Sequence, residues 1–361
     1  MKFRPFELMD WVAKHHHSVR YDLGSSGISA VKLSELNVNM HDIDIGETYV
    51  GGRPELKKTV ASLYNKKEEN VIITDGASEA NFLVCAALLN AGDEVIVENP
   101  TYAPMLEIPR GLGAKVKRIQ RDRSNNFDID LARLEDIVTK KTKLIVLTNL
   151  NNPTSAILSA KKLSAINSLA RDCKALVMVD EIYKDAAFEH TFPSACTLGD
   201  RFVVTSSTTK TYGIGGLRIG WVAASEDVIK KVREVKVYTS VCSSPISEIL
   251  TMHGIKNRKK FLDRTKKIVK KNIKMIREWA ENNDNIEMYE PGFGIVRFPR
   301  LNGIDPKKLA MHLLKKYSTL ISPGEYFGMK GHFRIGLGMD EKILMAGLGN
   351  INRAINELKR K

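Results

Sequence analysis

Lys210 closes the run Ser206-Ser207-Thr208-Thr209-Lys210, and Thr211-Tyr212-Gly213-Ile214-Gly215-Gly216-Leu217-Arg218 follows it. This places one amine among hydroxyls, with a guanidinium eight residues on across a glycine-rich turn. Most lysines in a basic chain are solvated charges, but neither a core nor a surface helix requires these surroundings. An amine kept from water beside another cation is held in its neutral, nucleophilic form. A second candidate is Asp180, which ends the apolar run Ala175–Val179 and opens Asp180-Glu181-Ile182-Tyr183. A carboxylate there binds magnesium in nucleotide hydrolases, or holds a proton on a pyridine nitrogen. No G-x-x-x-x-G-K-[ST] loop supplies a phosphate cradle for the first, and no G-x-G-x-x-G follows a strand.

Three further segments follow apolar runs. Thr74-Asp75-Gly76-Ala77-Ser78 opens a helix whose free N–H groups and dipole suit a phosphate, although Ser and Asp there are more often simple caps. Asn99-Pro100-Thr101-Tyr102 brings an aromatic ring to a strand end, a surface on which a flat group stacks. Thr148-Asn149-Leu150-Asn151-Asn152-Pro153-Thr154 is a polar loop in which Asn152 can donate to a ligand oxygen, although Asn-Pro favours a turn regardless.

These residues need elements that bring them to one edge. Short β-rich runs alternate with helical stretches: Val71–Thr74, Glu94–Val97, Lys115–Ile119, Lys143–Leu147, Ala175–Val179, Arg201–Thr205 and Arg218–Ala223. Continuous apolar strands separated by helices predict an α/β fold with a mostly parallel sheet covered on both faces. Ligands of such sheets bind at the carboxyl ends of the strands, where all these segments fall. After about Ser225 the pattern changes to Lys-rich helices with short strands near Ile286–Tyr289, Ile295–Phe298 and Phe333–Gly336. A terminal helix from about Asp340 completes a smaller α+β unit, which the segment before Asp44 joins.

Composition sets the outer limits. The chain has 361 residues, and 56 basic against 42 acidic side chains leave a net charge of +14. With 43% hydrophobic and 27% charged residues it reads as a soluble globular protein of one large or two ordinary domains. The longest apolar run, Phe82–Leu89, is far short of the ~18 residues of a membrane span. Met1-Lys2-Phe3-Arg4-Pro5 lacks the pattern of a secretory signal. Four scattered cysteines give neither a disulfide framework nor a metal site, so a reducing cytoplasm is expected. From Lys256 to Arg277 there are eleven basic residues against Asp263, above a stripe of Ile255, Phe261, Leu262, Ile268, Val269, Ile273 and Ile276. That predicts one amphipathic helix with a solvated basic face rather than a nucleic-acid surface, for which aromatics among the charges are missing. His15-His16-His17 reads as a polar helix face near the site entrance, not a metal ligand set.

Taken together, these motifs resemble the class I/II aminotransferase family of fold-type I pyridoxal-phosphate enzymes, from about Tyr21 to the C-terminus. The resemblance implies residues 45–230 as a large cofactor-binding domain and 1–44 with 231–361 as a small one. It implies a Schiff base between Lys210 and pyridoxal phosphate, and Asp180 on the pyridinium nitrogen. Asn152 and Tyr183 would meet the ring oxygen, with Tyr102 stacked on the ring. Gly76, Ala77, Ser78, Ser207, Thr209 and Arg218 would surround the phosphate end. Arg334, in Phe333-Arg334-Ile335-Gly336, would hold a substrate α-carboxylate with Asn152 and Gly27. Tyr49, in Tyr49-Val50-Gly51-Gly52-Arg53-Pro54-Glu55-Leu56-Lys57, would reach the phosphate of a neighbouring subunit. A homodimer with shared sites follows.

Ser155 departs from the family's glycine after Asn-Pro-Thr, and Thr209 stands where serine often precedes the lysine. The N-terminal segment, with Trp11 and Gly24-Ser25-Ser26-Gly27-Ile28, is expected to cover the site. The implied reaction is ping-pong transfer of an amino group from an L-amino acid to a 2-oxo acid. Decarboxylation, C–S cleavage and histidinol-phosphate-type transfer remain open, as does the identity of the amino donor.

Overall fold

The computed structural model describes residues 2–39, 41 and 43–360. Seven strands form the central sheet: β1 (Val71–Thr74), β2 (Glu94–Asn99), β3 (Lys115–Gln120), β4 (Thr142–Thr148), β5 (Leu176–Asp180), β6 (Phe202–Ser207) and β7 (Gly220–Ala223). Their order is β1-β7-β6-β5-β4-β2-β3, and β7 alone runs antiparallel to both neighbours. Because β7 reverses between β1 and β6, those two strands point the same way. The carboxyl ends of β1, β2, β4, β5 and β6 therefore share one edge.

Alternation along the strands fills both faces. Ile72, Val97, Val146, Met178 and Val203 pack under the helix Gly76–Leu88. Ile73, Ile96, Ile145, Leu147, Val177 and Val204 pack against the helix Ala160–Asp172 and its neighbours. The expected doubly covered, mostly parallel sheet is present. One close approach fixes how its rim is built. A Cβ on Gly220 would lie 2.4 Å from the carbonyl carbon of Gly76 and 2.6 Å from the Ala77 nitrogen. Only glycine lets that helix begin directly against β7.

A second core gathers the helices Arg258–Glu281, Pro306–Tyr317 and Glu341–Lys359 around the strand Phe333–Gly336. The N-terminal segment joins it, since Tyr21–Asp22 pairs in parallel with Thr319–Leu320. The basic helix expected from Lys256 to Arg277 is present as Arg258–Glu281; only Ile255 and Lys256 fall outside it, at the end of a separate preceding helix, Pro245–Lys256. Asn257 separates the two helices, its side chain donating to the His253 carbonyl at 3.0 Å, in competition with a continuous helix. Ile255 consequently belongs to the core beneath the sheet, whereas Val269, Ile273 and Ile276 belong to the second core.

Two polar side chains interrupt the apolar stripe of Arg258–Glu281, and both act as braces. Thr265 donates to the Thr211 carbonyl (2.7 Å), beside Lys210. Asn272 donates to the Leu337 and Met339 carbonyls (2.9 and 2.8 Å), just past Arg334. The sheet has a brace of its own. Glu98 and Arg121, both fully buried, pair at 2.6 Å, and Glu98 also accepts from the Thr148 N–H at 2.7 Å. Replacing Arg121 with methionine leaves that carboxylate uncompensated in the interior. A loss of roughly 3–5 kcal/mol is expected, measurable as a lowered denaturant midpoint, and a midpoint equal to wild type would show the pair to be dispensable.

Candidate active site

A cavity of about 290 Å³ opens at the shared carboxyl edge. Of the residues singled out by sequence, Ala77, Ser78, Tyr102, Asn152 and Asp180 line it, as do Tyr183, Thr209, Lys210 and Arg218. Four others stand one contact behind. Gly76, at φ +80°, carries no Cβ, and one there would meet the Arg218 guanidinium at 2.6 Å. Ser207 donates to Thr209 at 2.7 Å. Gly27 lies against the Lys210 stem, 3.9 Å from where its own Cβ would be. Arg334 donates to Asn152 Oδ1 (3.2 Å) and to the Gly24 carbonyl (2.8 Å). Tyr49 is apart: its hydroxyl donates to Glu47, its ring faces Arg53, and it lines a different cavity.

Asp180 ends β5 in the register of Thr148 on β4 and Thr205 on β6. It accepts from Asn81 Nδ2 and from the Ile182 N–H, each at 2.9 Å. Burial nevertheless pushes its carboxyl up to about 6, since the low-dielectric interior disfavours the charge more than these donors favour it. Lys210 shows the opposite response for the same reason. Burial, then Arg334 and Arg218, bring its amine down to about 8. The Tyr102 hydroxyl is pushed up to about 12, again by burial first. Arg334 is buried, and its Nε has no partner among the described residues.

Sequence reasoning missed several lining residues: Met9, Asn81, Thr148 and Ile182. Asn81 was legible in principle. It follows Ser78 by three positions on one helix and so faces the same strand ends. Its Oδ1 accepts from Thr205 at 2.6 Å, which fixes the amide with its N–H toward Asp180. The expected N-terminal cover is present: Ser26, from the expected stretch Gly24–Ile28, lines the cavity together with Met9. Trp11 instead donates to the Ile321 carbonyl at 2.9 Å, within the second core. Of the three histidines, His16 bonds Asp22 at 2.5 Å and His15 packs edge-on to Trp11. Ser155 adopts φ 61°, a left-handed conformation that favours glycine, and its hydroxyl donates to the Val296 carbonyl at 2.9 Å.

The model of aminotransferase class I and II matches residues 31–351. The chain belongs to that family. By this membership it is a pyridoxal-phosphate-dependent aminotransferase. An aspartate aminotransferase of Pyrococcus horikoshii is 29% identical, covering 84% of this chain and 81% of its own. A capreomycidine synthase of Streptomyces vinaceus is 26% identical over 96% of this chain and 93% of its own. A solved structure titled as a PLP-dependent aminotransferase, from Streptococcus suis 89-1591, superposes with a TM-score of 0.93 at 29% identity, covering 99% of both chains.

The residues fit this aminotransferase cofactor on structural grounds. A buried carboxylate, an enclosed amine and a guanidinium seated in a glycine notch surround one cavity. They match a ring nitrogen, an aldehyde and a phosphate respectively. Replacing Asn81 with leucine removes one donor to the Asp180 carboxylate while keeping similar volume. The Asp180 titration should move to higher pH than in wild type, followed by carboxyl carbon NMR with the Asp180→Asn variant to assign the signal. A midpoint that stays or falls would show that Asn81 does not support the charge.

Proposed function

We propose that this aminotransferase carries its cofactor on Lys210 and transfers amino groups from an L-amino acid to a 2-oxo acid. The observation that carries the assignment is the single cavity lined together by Lys210, Asp180, Asn152 and Arg218. When bound, pyridoxal phosphate withdraws electrons from the substrate Cα and makes its proton removable. The remaining work falls to side chains. Asp180 would balance a positive charge on the ring nitrogen, and Tyr183 and Asn152 would meet the ring oxygen. Tyr102 would stack on the ring. The N–H groups of Ala77 and Ser78, with Gly76 and Thr209 beside them, and Arg218 would hold the phosphate. Ser207 orients Thr209.

Lys210 moves the proton. Burial, with Arg334 and Arg218 beside it, favours the neutral amine, so the base is available where a surface lysine is not. Arg334 binds the α-carboxylate. Its planar fork matches a carboxylate in a way an ammonium does not, and its unpartnered Nε gives an anion a donor to occupy. Gly27 leaves room beside Lys210 for the substrate. Aspartate heads the list of donors, because several relatives are named for it. Likeness to a capreomycidine synthase over most of the chain supports a second reading, another pyridoxal-phosphate reaction at the same residues. An amino acid supplied alone separates them. A transaminase yields one equivalent of 2-oxo acid and releases neither ammonia nor carbon dioxide.

A homodimer with shared sites is the assembly this reading requires. Ile45, Val50, Val237, Tyr238 and Val241 are exposed apolar side chains, Tyr238 at 89%. Hydrogen bonds tie their segments to the phosphate end. The Arg53 N–H donates to Glu248, Ser243 donates to Asp75, and Thr239 and Ser240 donate to Glu79. Exposed apolar side chains in these segments, with a Tyr49 that does not line the Lys210 cavity, suit a two-fold contact.

Two outcomes follow. Borohydride reduction with peptide mapping should label Lys210, and Lys210→Ala should lower turnover by about 10²–10⁴-fold or more; a label on another lysine would overturn the assignment. Mixing inactive Lys210→Ala subunits with inactive Tyr49→Ala subunits should restore activity in hybrid dimers. Hybrids that form and stay inactive would assign Tyr49 to its own subunit.

A further inference from the structure

The loop Gly24–Ile28 touches three of the side chains that the proposed reaction depends on. Lys210 Nζ donates to Ser26 Oγ at 3.2 Å. The Tyr183 hydroxyl donates to the Ser26 carbonyl at 3.1 Å. Arg334 donates to the Gly24 carbonyl at 2.8 Å. Ser26 itself lines the cavity.

This loop is held firmly. The Gly24 and Ser25 N–H groups both donate to Asp22 Oδ1 (2.8 and 3.1 Å). The Ile28 N–H donates to the Lys210 carbonyl at 3.1 Å, and the Gly336 N–H to the Leu23 carbonyl at 2.8 Å. Two glycines past Arg334 receive it. A Cβ on Gly336 would fall 1.8 Å from the Ser25 oxygen, and one on Gly338 would fall 2.0 Å from the Gly27 oxygen. The backbone on either side of Ser26 is thus wedged against the strand that bears Arg334. Its hydroxyl is pre-positioned rather than carried on a free surface turn.

We propose that Ser26 is a positioning residue for Lys210: its hydroxyl accepts a hydrogen bond from the Lys210 amine and aims that amine into the cavity. The inference rests on Lys210 being the reactive lysine. A hydroxyl at this place serves the amine in both protonation states. It accepts N–H from the ammonium, and it keeps one N–H of the neutral amine engaged so that the lone pair points elsewhere. The other groups facing Lys210 are Asp180 from the end of β5 and Tyr183 just beyond it. Arg218 comes from the turn after β6, and Arg334 from the strand Phe333–Gly336. The two arginines oppose a charge on Lys210 and Asp180 favours it. Ser26, like Tyr183, is uncharged, and its bond adds to the side of the charged form.

The test compares wild type, Ser26→Ala and Ser26→Thr. In the full chain freed of cofactor, acetylation of Lys210 is followed against pH by mass mapping. Ser26→Ala removes the acceptor, so the Lys210 midpoint should fall by about half a unit to one unit, the size of one hydrogen bond. Ser26→Thr, which keeps the hydroxyl, should restore it. With cofactor bound, Ser26→Ala should lower kcat about tenfold and leave KM within a factor of two, because the amine and not the carboxylate fork is disturbed. An unchanged Lys210 midpoint in Ser26→Ala would overturn the inference, as would a loss confined to KM. If Ser26→Ala fails to fold, Ser26→Cys, with a weaker acceptor of similar size, decides by the same midpoint. Failure of borohydride to label Lys210 would instead remove the functional reading beneath it, so the two failures are distinguishable.

Discussion

The site depends first on a carboxylate that the fold has taken out of water. Asp180 ends a strand flanked by strands on both sides, and burial works against its charge. The donors that oppose this are local: the Ile182 N–H two residues on, and Asn81 from the first turns of the adjoining helix. That helix approaches closely enough only because positions 76 and 220 are glycines. The same close approach seats Arg218 beside the helix N-terminus. One buried charge, one helix start and one glycine contact are therefore parts of a single arrangement.

Across the cavity the balance is reversed. Lys210, Arg218 and Arg334 are three cations held around a small volume; burial first, and then that crowding, lowers the pKa of the only one able to lose a proton. Guanidinium groups remain charged under the same burial. The arginines thus keep their charge while the lysine can lose its proton. Most of the chain's positive charge is elsewhere. On the helix Arg258–Glu281, Lys266 and Lys270 meet Glu189, Lys271 meets Glu341, and Lys259 meets Asp263, all on partly or fully exposed side chains. Exposed pairs of this kind contribute little.

Buried polar side chains hold the two cores in register around the cavity. Thr265 and Asn272 reach from one helix to the backbones next to Lys210 and Arg334, and a buried polar atom left without such a partner costs more than the bond contributes. The Glu98–Arg121 pair does the same for Thr148 on the cavity wall. These contacts join residues far apart in sequence, so a shift of either core alters the site geometry directly.

The strand ends were readable from residue order alone. Apolar runs of strand length separated by helices dictate a doubly covered parallel sheet, and its carboxyl edge gathers whatever follows each run. Lys210, Asp180, Asn152, Tyr102 and Arg218 were found that way, because their positions depend on local pattern and one topological rule. The break at Asn257 was not found, since a polar residue between two amphipathic stretches looks the same whether a helix continues or stops. Asn81 and Ser26 escaped for a different reason. Asn81 follows Ser78 by three positions and Ser26 lies within Gly24–Ile28, so their neighbourhoods were legible, but the partner each bonds is about a hundred or more positions away. Hydrophobic periodicity and strand-end chemistry act over a few residues and are written in the sequence. The hydrogen bonds that tune Asp180 and engage Lys210 exist only after packing has brought separate segments within about 3 Å of one another.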